Sequence, residues 1–133
     1  MKKFTASLRV VTKEASLTEV RALTGWEFHS SSHTKGELRW KGGPFAMTVA
    51  VFEEVTGNGT LNSLIQQILE EAKGMPLREI GKQIKDAVIV LDICAFFDTV
   101  DCSLDISAEN VKLLGERNIG IGASCYPTCF EAT

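Results

Sequence analysis

Residues 86–98 have the sequence DAVIVLDICAFFD, and this nearly unbroken apolar run constrains the fold more than any other segment. A strand with one solvent-exposed face alternates apolar and polar residues. In this run the residues that would point to either face are apolar, and many of them are β-branched or aromatic. It is too short to span a membrane, and its β-branching disfavours a helix. The run therefore predicts a central strand buried on both faces, with Val88, Val90 and Phe96 among its buried residues.

Size and composition set the class of protein that this chain is expected to be. With 133 residues it has the length of one domain, and we predict a single domain over residues 1–133. Hydrophobic residues make up 44% and charged residues 23%, as in soluble globular proteins, and the net charge of −3 does not fit a nucleic-acid-binding face. Because no continuous apolar stretch follows Met1-Lys2-Lys3, we expect no signal peptide, no membrane partner and a cytoplasmic location.

Hydrophobic periodicity predicts strands and helices along the rest of the chain. Alternation predicts strands at residues 4–11, 36–40, 45–53, 102–106 and 118–126, in addition to the central one. Ser16, Thr60 and Ser107 are predicted N-caps of helices, and Gly25 is the predicted stop of the first. The helix that follows Thr60 has the clearest amphipathic spacing, and a further short helix is predicted after Pro76. The core-facing residues of the helix after Thr60 include Leu61, Ile65 and Ile68.

The resulting order β-α-β-β-α-β-β-α-β predicts an α/β fold of the α+β type. We expect a two-layer sandwich in which a mixed, largely antiparallel sheet of about six strands carries helices on one face. The central strand would then need further cover on its second face, from a curled sheet, from long loops or from a partner subunit.

Several segments resemble a known family. An A-S-L-R-V strand, an S-L-x-E-V-x-x-L-T-G helix, a loop leading to H-x-K-G-E and a closing S-L-D-I-S-A-E-N-V-K-L-L-G segment are similar to the bacterial domain-of-unknown-function family 4279. The resemblance covers residues 5–126. Family members often carry a tryptophan in the strand after K-G-E, where this chain has Met47-Thr48-Val49-Ala50. The family has no established activity, but some members lie in loci resembling toxin–immunity systems, which implies a binding role.

The two histidines are the first candidates for chemistry. His29 and His33 form H-S-S-S-H, which on a helix would place both rings on one face, as in zincins. The segment is serine-rich and lacks the glutamate of H-E-x-x-H, so a third metal ligand would have to come from Asp92, Cys125 or Cys129. Two solvated loop histidines explain the pattern better, and the sequence predicts no metal, no cofactor and no catalytic residue.

An isolated carboxylate and four cysteines need a structural explanation. Asp92 interrupts the apolar strand, which fits either an acid with a perturbed pKa in a pocket or, as we prefer, a position that leans toward a loop or a basic partner. Cys94 and Cys102 flank a predicted hairpin turn, and Cys125 and Cys129 form a weak C-x-x-x-C metal signal. We expect all four cysteines to be free thiols, as is usual in a reducing compartment.

Aromatic and basic residues crowd into one segment, residues 26–40. The candidate binding residues are Trp26, His29, His33, Lys35, Arg39 and Trp40. Tryptophan and arginine are common at interaction hot spots, although ordinary core packing of the tryptophans with a solvated rim explains them equally well. Our leading hypothesis is a small non-catalytic binding protein of immunity type that recognises a toxin-like protein partner. The alternative is a small hydrolase or metal-dependent enzyme built around the histidines, and a homodimer is left open.

Overall fold

The computed structural model of the chain describes residues 2–25, 27–28, 32–37, 42–57, 59–74, 77–97 and 103–127. Within these residues the elements are β1 (Lys2–Thr12), α1 (Leu17–Thr24), β2 (Thr48–Gly57), α2 (Leu61–Glu71), α3 (Leu77–Gln83), β3 (Val88–Phe97), α4 (Ala108–Glu116) and β4 (Ile119–Pro127).

The ends of the helices follow the capping signals in the sequence. Ser16, Thr60 and Ser107 precede α1, α2 and α4, and each side chain accepts a hydrogen bond from the backbone N–H three residues further on. Gly25 ends α1 in the left-handed conformation, with φ at 69°, which glycine adopts without steric cost. The four predicted capping residues are therefore confirmed.

The strands form a mixed sheet in the order β2-β1-β3-β4. β1 pairs antiparallel with β2 and with β3, while β3 and β4 run parallel. A parallel pair needs a crossover connection, and α4 lies in the connection between β3 and β4. The mixed, largely antiparallel sheet is as predicted, with the apolar run at residues 86–98 supplying the interior strand β3.

The helices contribute to a single core on one face of the sheet, so the fold is the predicted two-layer α+β sandwich. Alternate residues of β1 and β3 form the sheet side of this core, and α2 supplies most of the helix side. The expected residues Leu61, Ile65 and Ile68 are all buried, with exposed fractions of 4% or less. The core residues of the two interior strands are Phe4, Ala6, Leu8, Val10, Ile89, Leu91, Ile93 and Ala95.

The prediction that β3 is buried on both faces is wrong. Val88 is 55% exposed, and Val90 and Phe96 are only half-buried. Side chains of the neighbouring strands shield part of this second face, which we call the uncovered face because no described helix packs on it. An apolar run alone cannot distinguish a second covering layer from such partial shielding, and this ambiguity caused the error.

Four strands lie in the described residues, fewer than the predicted six. Residues 103–107 are not a strand; Leu104 and Ile106 are partly buried against the core, so packing of a loop produced their alternation. The predicted strand at residues 36–40 lies partly outside the described residues. Its first two residues, Gly36 and Glu37, exchange backbone hydrogen bonds with Phe45 at 2.9 and 3.0 Å. The strand predicted from residue 45 begins instead at Thr48.

Candidate recognition surface

Two of the six candidate binding residues, His33 and Lys35, lie in the part of the chain that the structure describes. Both belong to residues 32–37, which we call the recognition loop. The other four candidates, Trp26, His29, Arg39 and Trp40, lie outside the described residues.

The recognition loop is fixed to the outer edge of β2. The backbones of His33 and Val49 exchange two hydrogen bonds, both of 2.9 Å, and form an antiparallel bridge. The hydroxyl of Ser32 accepts a hydrogen bond of 2.8 Å from the backbone N–H of Val51. The start of the loop therefore extends the sheet by one short bridge.

Two threonines tie the rest of the loop to the core layer. The buried Thr48 hydroxyl accepts a hydrogen bond of 2.9 Å from the backbone N–H of Lys35 and donates one of 2.6 Å to the carbonyl of Ala15. The hydroxyl of Thr34 accepts a hydrogen bond of 3.1 Å from the backbone N–H of Leu17, at the first turn of α1. The Lys35 backbone is held in this way while its side chain is exposed.

The structure gives His33 a packing role. Its ring stacks on the ring of Phe45, with the centroids 3.6 Å apart and the planes 14° from parallel. His33 lies beyond β2, so the order of the sheet separates it from Asp92 by about three strand spacings, or about 14 Å, and from Cys125 by about 19 Å. A metal site that joins His33 to either residue is therefore excluded by distance. Among the described residues, no three His, Cys, Asp or Glu side chains are grouped as metal ligands.

Asp92 has a basic partner, Arg9, on the uncovered face. Arg9 on β1 approaches the carboxylate to 3.3 Å, and its Nε donates a hydrogen bond of 2.9 Å to the hydroxyl of Ser7. This pairing supports the structural interpretation of Asp92 over the catalytic one. Sequence reasoning did not find Arg9 as the partner, because the β1–β3 register that brings the two together is not visible in the sequence.

The cysteine on the uncovered face is a weak nucleophile. The Cys94 thiol donates a 3.8 Å hydrogen bond to the carboxylate of Asp92. Burial, and after it the negative charge of Asp92, raises the pKa of the Cys94 thiol. Because the thiolate is the reactive form, the environment lowers the reactivity of this cysteine. Neither Cys94 nor Cys125 forms a disulfide bond, as expected, while Cys102 and Cys129 lie outside the described residues.

A groove of about 690 Å³, which no sequence pattern indicated, lies at the amino ends of β3 and β4. Val88 and Ile119 contribute apolar surface, and Lys82 and Lys85 line its charged side. Lys82 lies in the last turn of α3, where positive charge favours the helix dipole, and it also pairs with Glu79 at 3.6 Å. Ligand sites next to parallel strands usually lie at the carboxyl ends, so we assign no ligand to this groove.

Comparison of the chain with protein-family models, curated proteins and solved structures gives no match. The resemblance to domain-of-unknown-function family 4279 therefore stays a prediction. None of the described helices combines the length and the apolar character needed to cross a membrane.

Proposed function

We propose that the chain is a small non-catalytic binding protein of bacterial, cytoplasmic, immunity type, which recognises a protein partner through residues 26–40. The recognition loop is the described part of this surface. The observation that carries the proposal is that the loop combines an exposed polar rim with a backbone anchored on two sides, to β2 and to the start of α1.

Anchoring matters because a loop that is already ordered loses less conformational entropy when it binds. Ordering of side chains and loops is one of the main costs of association, and a preorganised surface avoids much of it. In this loop Ser32, His33, Thr34 and Lys35 all take part in hydrogen bonds to the scaffold. Loops held on a rigid sheet are also the usual carriers of recognition in folded domains.

The charge of the same segment favours an acidic partner. Residues 33–41, with the sequence HTKGELRWK, contain three basic residues and one acidic residue, in a chain whose net charge is −3. A local positive patch on a negatively charged protein steers an acidic surface toward itself and acts mainly on the association rate.

The alternative, a hydrolase or metal-dependent enzyme built on His29 and His33, gains no support from the described residues. The His33 backbone pairs with β2 and its ring packs on Phe45, so both parts of the residue already have structural partners. These contacts of His33 therefore support the binding role over the enzyme.

The proposal is tested with the protein encoded directly upstream of this chain, the position that a toxin partner would occupy. The association rate of the two purified proteins is measured by biolayer interferometry at low and at physiological salt. Replacing Lys35→Glu and Arg39→Glu together reverses the charge of the segment, and we expect the association rate at low salt to fall about tenfold or more.

The matched control is the double variant Lys73→Glu/Lys112→Glu, which changes the net charge equally on the helical layer. Both lysines are exposed, and this variant should retain most of the association rate. Circular dichroism establishes that both variants are folded. If both variants lose association rate equally, the overall charge of the protein is the cause. If Lys35→Glu/Arg39→Glu binds with an unchanged rate, the interface lies elsewhere. Absence of any complex would contradict the proposed partner.

A further inference from the structure

The two edges of the sheet differ in how they are protected. At one edge, the recognition loop bridges β2 through the backbone of His33. At the other edge, β4 pairs only with β3, and no further strand follows it in the described part of the sheet. Among the described strands β4 is therefore an edge strand, and an edge strand can serve as a template for another strand.

β4 also lacks the features with which edge strands usually prevent such pairing. Its nine residues, IGIGASCYP, include no charged side chain, and its only proline is the last residue. The register with β3 runs from Ile119 to Pro127 without a bulge. Charges, bulges and internal prolines are the common protections of a sheet edge, and β4 has none of them.

Large apolar side chains are exposed beside this edge. Ile121 on β4 is 44% exposed and Tyr126 is 48% exposed. The ring of Tyr126 stacks on Phe96 of β3, with the centroids 5.4 Å apart, so it is held in place on the uncovered face. Val111, on the helix that packs against β4, is exposed to 50%.

We propose that β4 pairs antiparallel with β4 of a second copy of this chain, about a twofold axis, and so joins the two sheets of four described strands each into one continuous sheet. A twofold axis makes identical strands antiparallel and lets one patch serve both subunits. Because β4 is uncharged, two copies meet without like-charge repulsion at the strand itself, despite the net charge of −3 on each chain.

The side-chain sizes along β4 point to the register of this pair. An axis at Ala123, the middle of the strand, places Tyr126 of each copy opposite Gly120 of the other on the uncovered face. A large ring then covers a residue without a side chain, which is a favourable cross-strand arrangement. The same register places the two Ala123 residues directly opposite each other.

Sedimentation equilibrium of the full chain over a range of concentrations tests the proposal. A single strand pair is a small interface, so we expect a dimer with a dissociation constant in the micromolar range. Ala123 is exposed, and Ala123→Lys places two like charges opposite each other, which should raise the dissociation constant about tenfold or more. Ala22→Lys, the same change at an exposed position of α1, should leave dimerisation intact.

A crosslink checks the register. In a Cys125→Ser background, Ala123→Cys should form a disulfide-linked dimer under mild oxidation, because opposed antiparallel residues lie within the Cα separation of a disulfide. The Cys125→Ser background alone should not form this dimer. A chain that is monomeric at all concentrations overturns the proposal, whatever else it binds. A dimer that tolerates Ala123→Lys, or one that fails to crosslink, would show that the copies meet elsewhere or in another register.

Discussion

Asp86 shows how one side chain can join two distant parts of the chain. One carboxylate oxygen accepts a hydrogen bond of 2.5 Å from the hydroxyl of Thr12, and the other accepts one of 2.6 Å from the backbone N–H of Lys13. Thr12 is the last residue of β1 and Lys13 follows it, whereas Asp86 lies just before β3. The contact therefore holds the start of β3 next to the end of β1. No pattern in the sequence indicated it.

The same contact predicts how stability depends on pH. The hydrogen bonds from Thr12, and next from the Lys13 backbone, lower the pKa of Asp86 from its ordinary value of 3.8. A lowered pKa in the folded state adds stability above the unfolded-state pKa, and this stability is lost as the pH falls through the folded-state value. Asp86→Asn should therefore reduce the free energy of unfolding at about pH 7, and the difference from wild type should shrink toward about pH 2.

Urea unfolding at several pH values measures this difference, with Asp105→Asn as the control. Asp105 is exposed in the segment before α4, and its replacement should have little effect at any pH. A difference between wild type and Asp86→Asn that stays constant down to low pH would show that the carboxylate charge is not the cause.

Arg9 and Asp92 mark a limit of sequence reasoning at the scale of single residues. A carboxylate inside an apolar strand predicts, on desolvation grounds, a position that leans toward a loop or a basic partner, and in the structure Asp92 has a basic partner, Arg9. Which of the chain's basic residues is the partner depends on the pairing of Ser7 with Asp92 in the β1–β3 ladder, which places Arg9 next to the carboxylate. The kind of interaction could be predicted from the sequence. The identity of the partner could not, because it depends on the β1–β3 register.

At the scale of elements, α2 and α4 are joined at both ends. The side-chain oxygen of Asn62 accepts hydrogen bonds from the Ser107 backbone N–H at 2.8 Å and from the Asn110 side chain at 3.0 Å. At the other end, Arg117 donates a hydrogen bond of 3.0 Å to the carbonyl of Leu69. The two helices therefore run side by side in the same direction, with the fully buried Asn110 between them.

Because α2 supplies most of the helix side of the core, removing a buried side chain from it should lower the stability of the protein strongly. Ile65 is fully buried, and Ile65→Ala should lower the free energy of unfolding by about 2–5 kcal/mol, the usual cost of deleting a buried aliphatic side chain. Ile65→Val should cost about 0.5–1.5 kcal/mol. Gln66→Ala, on the exposed side of the same helix, is the control and should change little. Chemical denaturation measures all three, and a loss below about 0.5 kcal/mol for Ile65→Ala would mean that the site collapses or is not packed.

The elements also show which sequence signals are reliable. α2 was predictable because its period of 3.6 residues and its Thr60 cap agree with each other. The exposure of Val88 was not predictable, since an apolar run carries no information about what lies on its second face. The recognition loop was found as a crowded segment, but its anchoring by Thr48 depends on contacts across the fold that the sequence does not encode locally.

At the scale of the whole molecule, the two proposed surfaces lie at opposite edges of one sheet. The recognition loop borders β2, and β4 is the opposite edge strand, with β1 and β3 between them. Dimerisation through β4 therefore leaves the recognition loop accessible. In the joined sheet the two loops would be separated by about nine strand spacings, or about 43 Å.

This separation predicts the stoichiometry of a complex with the upstream-encoded partner. Above the dissociation constant of the dimer, two partner molecules should bind per dimer, because the loops are far enough apart to be occupied independently. Ala123→Lys should bind the same partner as a one-to-one complex with an unchanged association rate per site, since it alters only the opposite edge. Light scattering coupled to size exclusion measures the masses, and biolayer interferometry measures the rates. One partner per dimer, or slower association by Ala123→Lys, would show that the partner contacts the β4 edge and that the two surfaces are not separate.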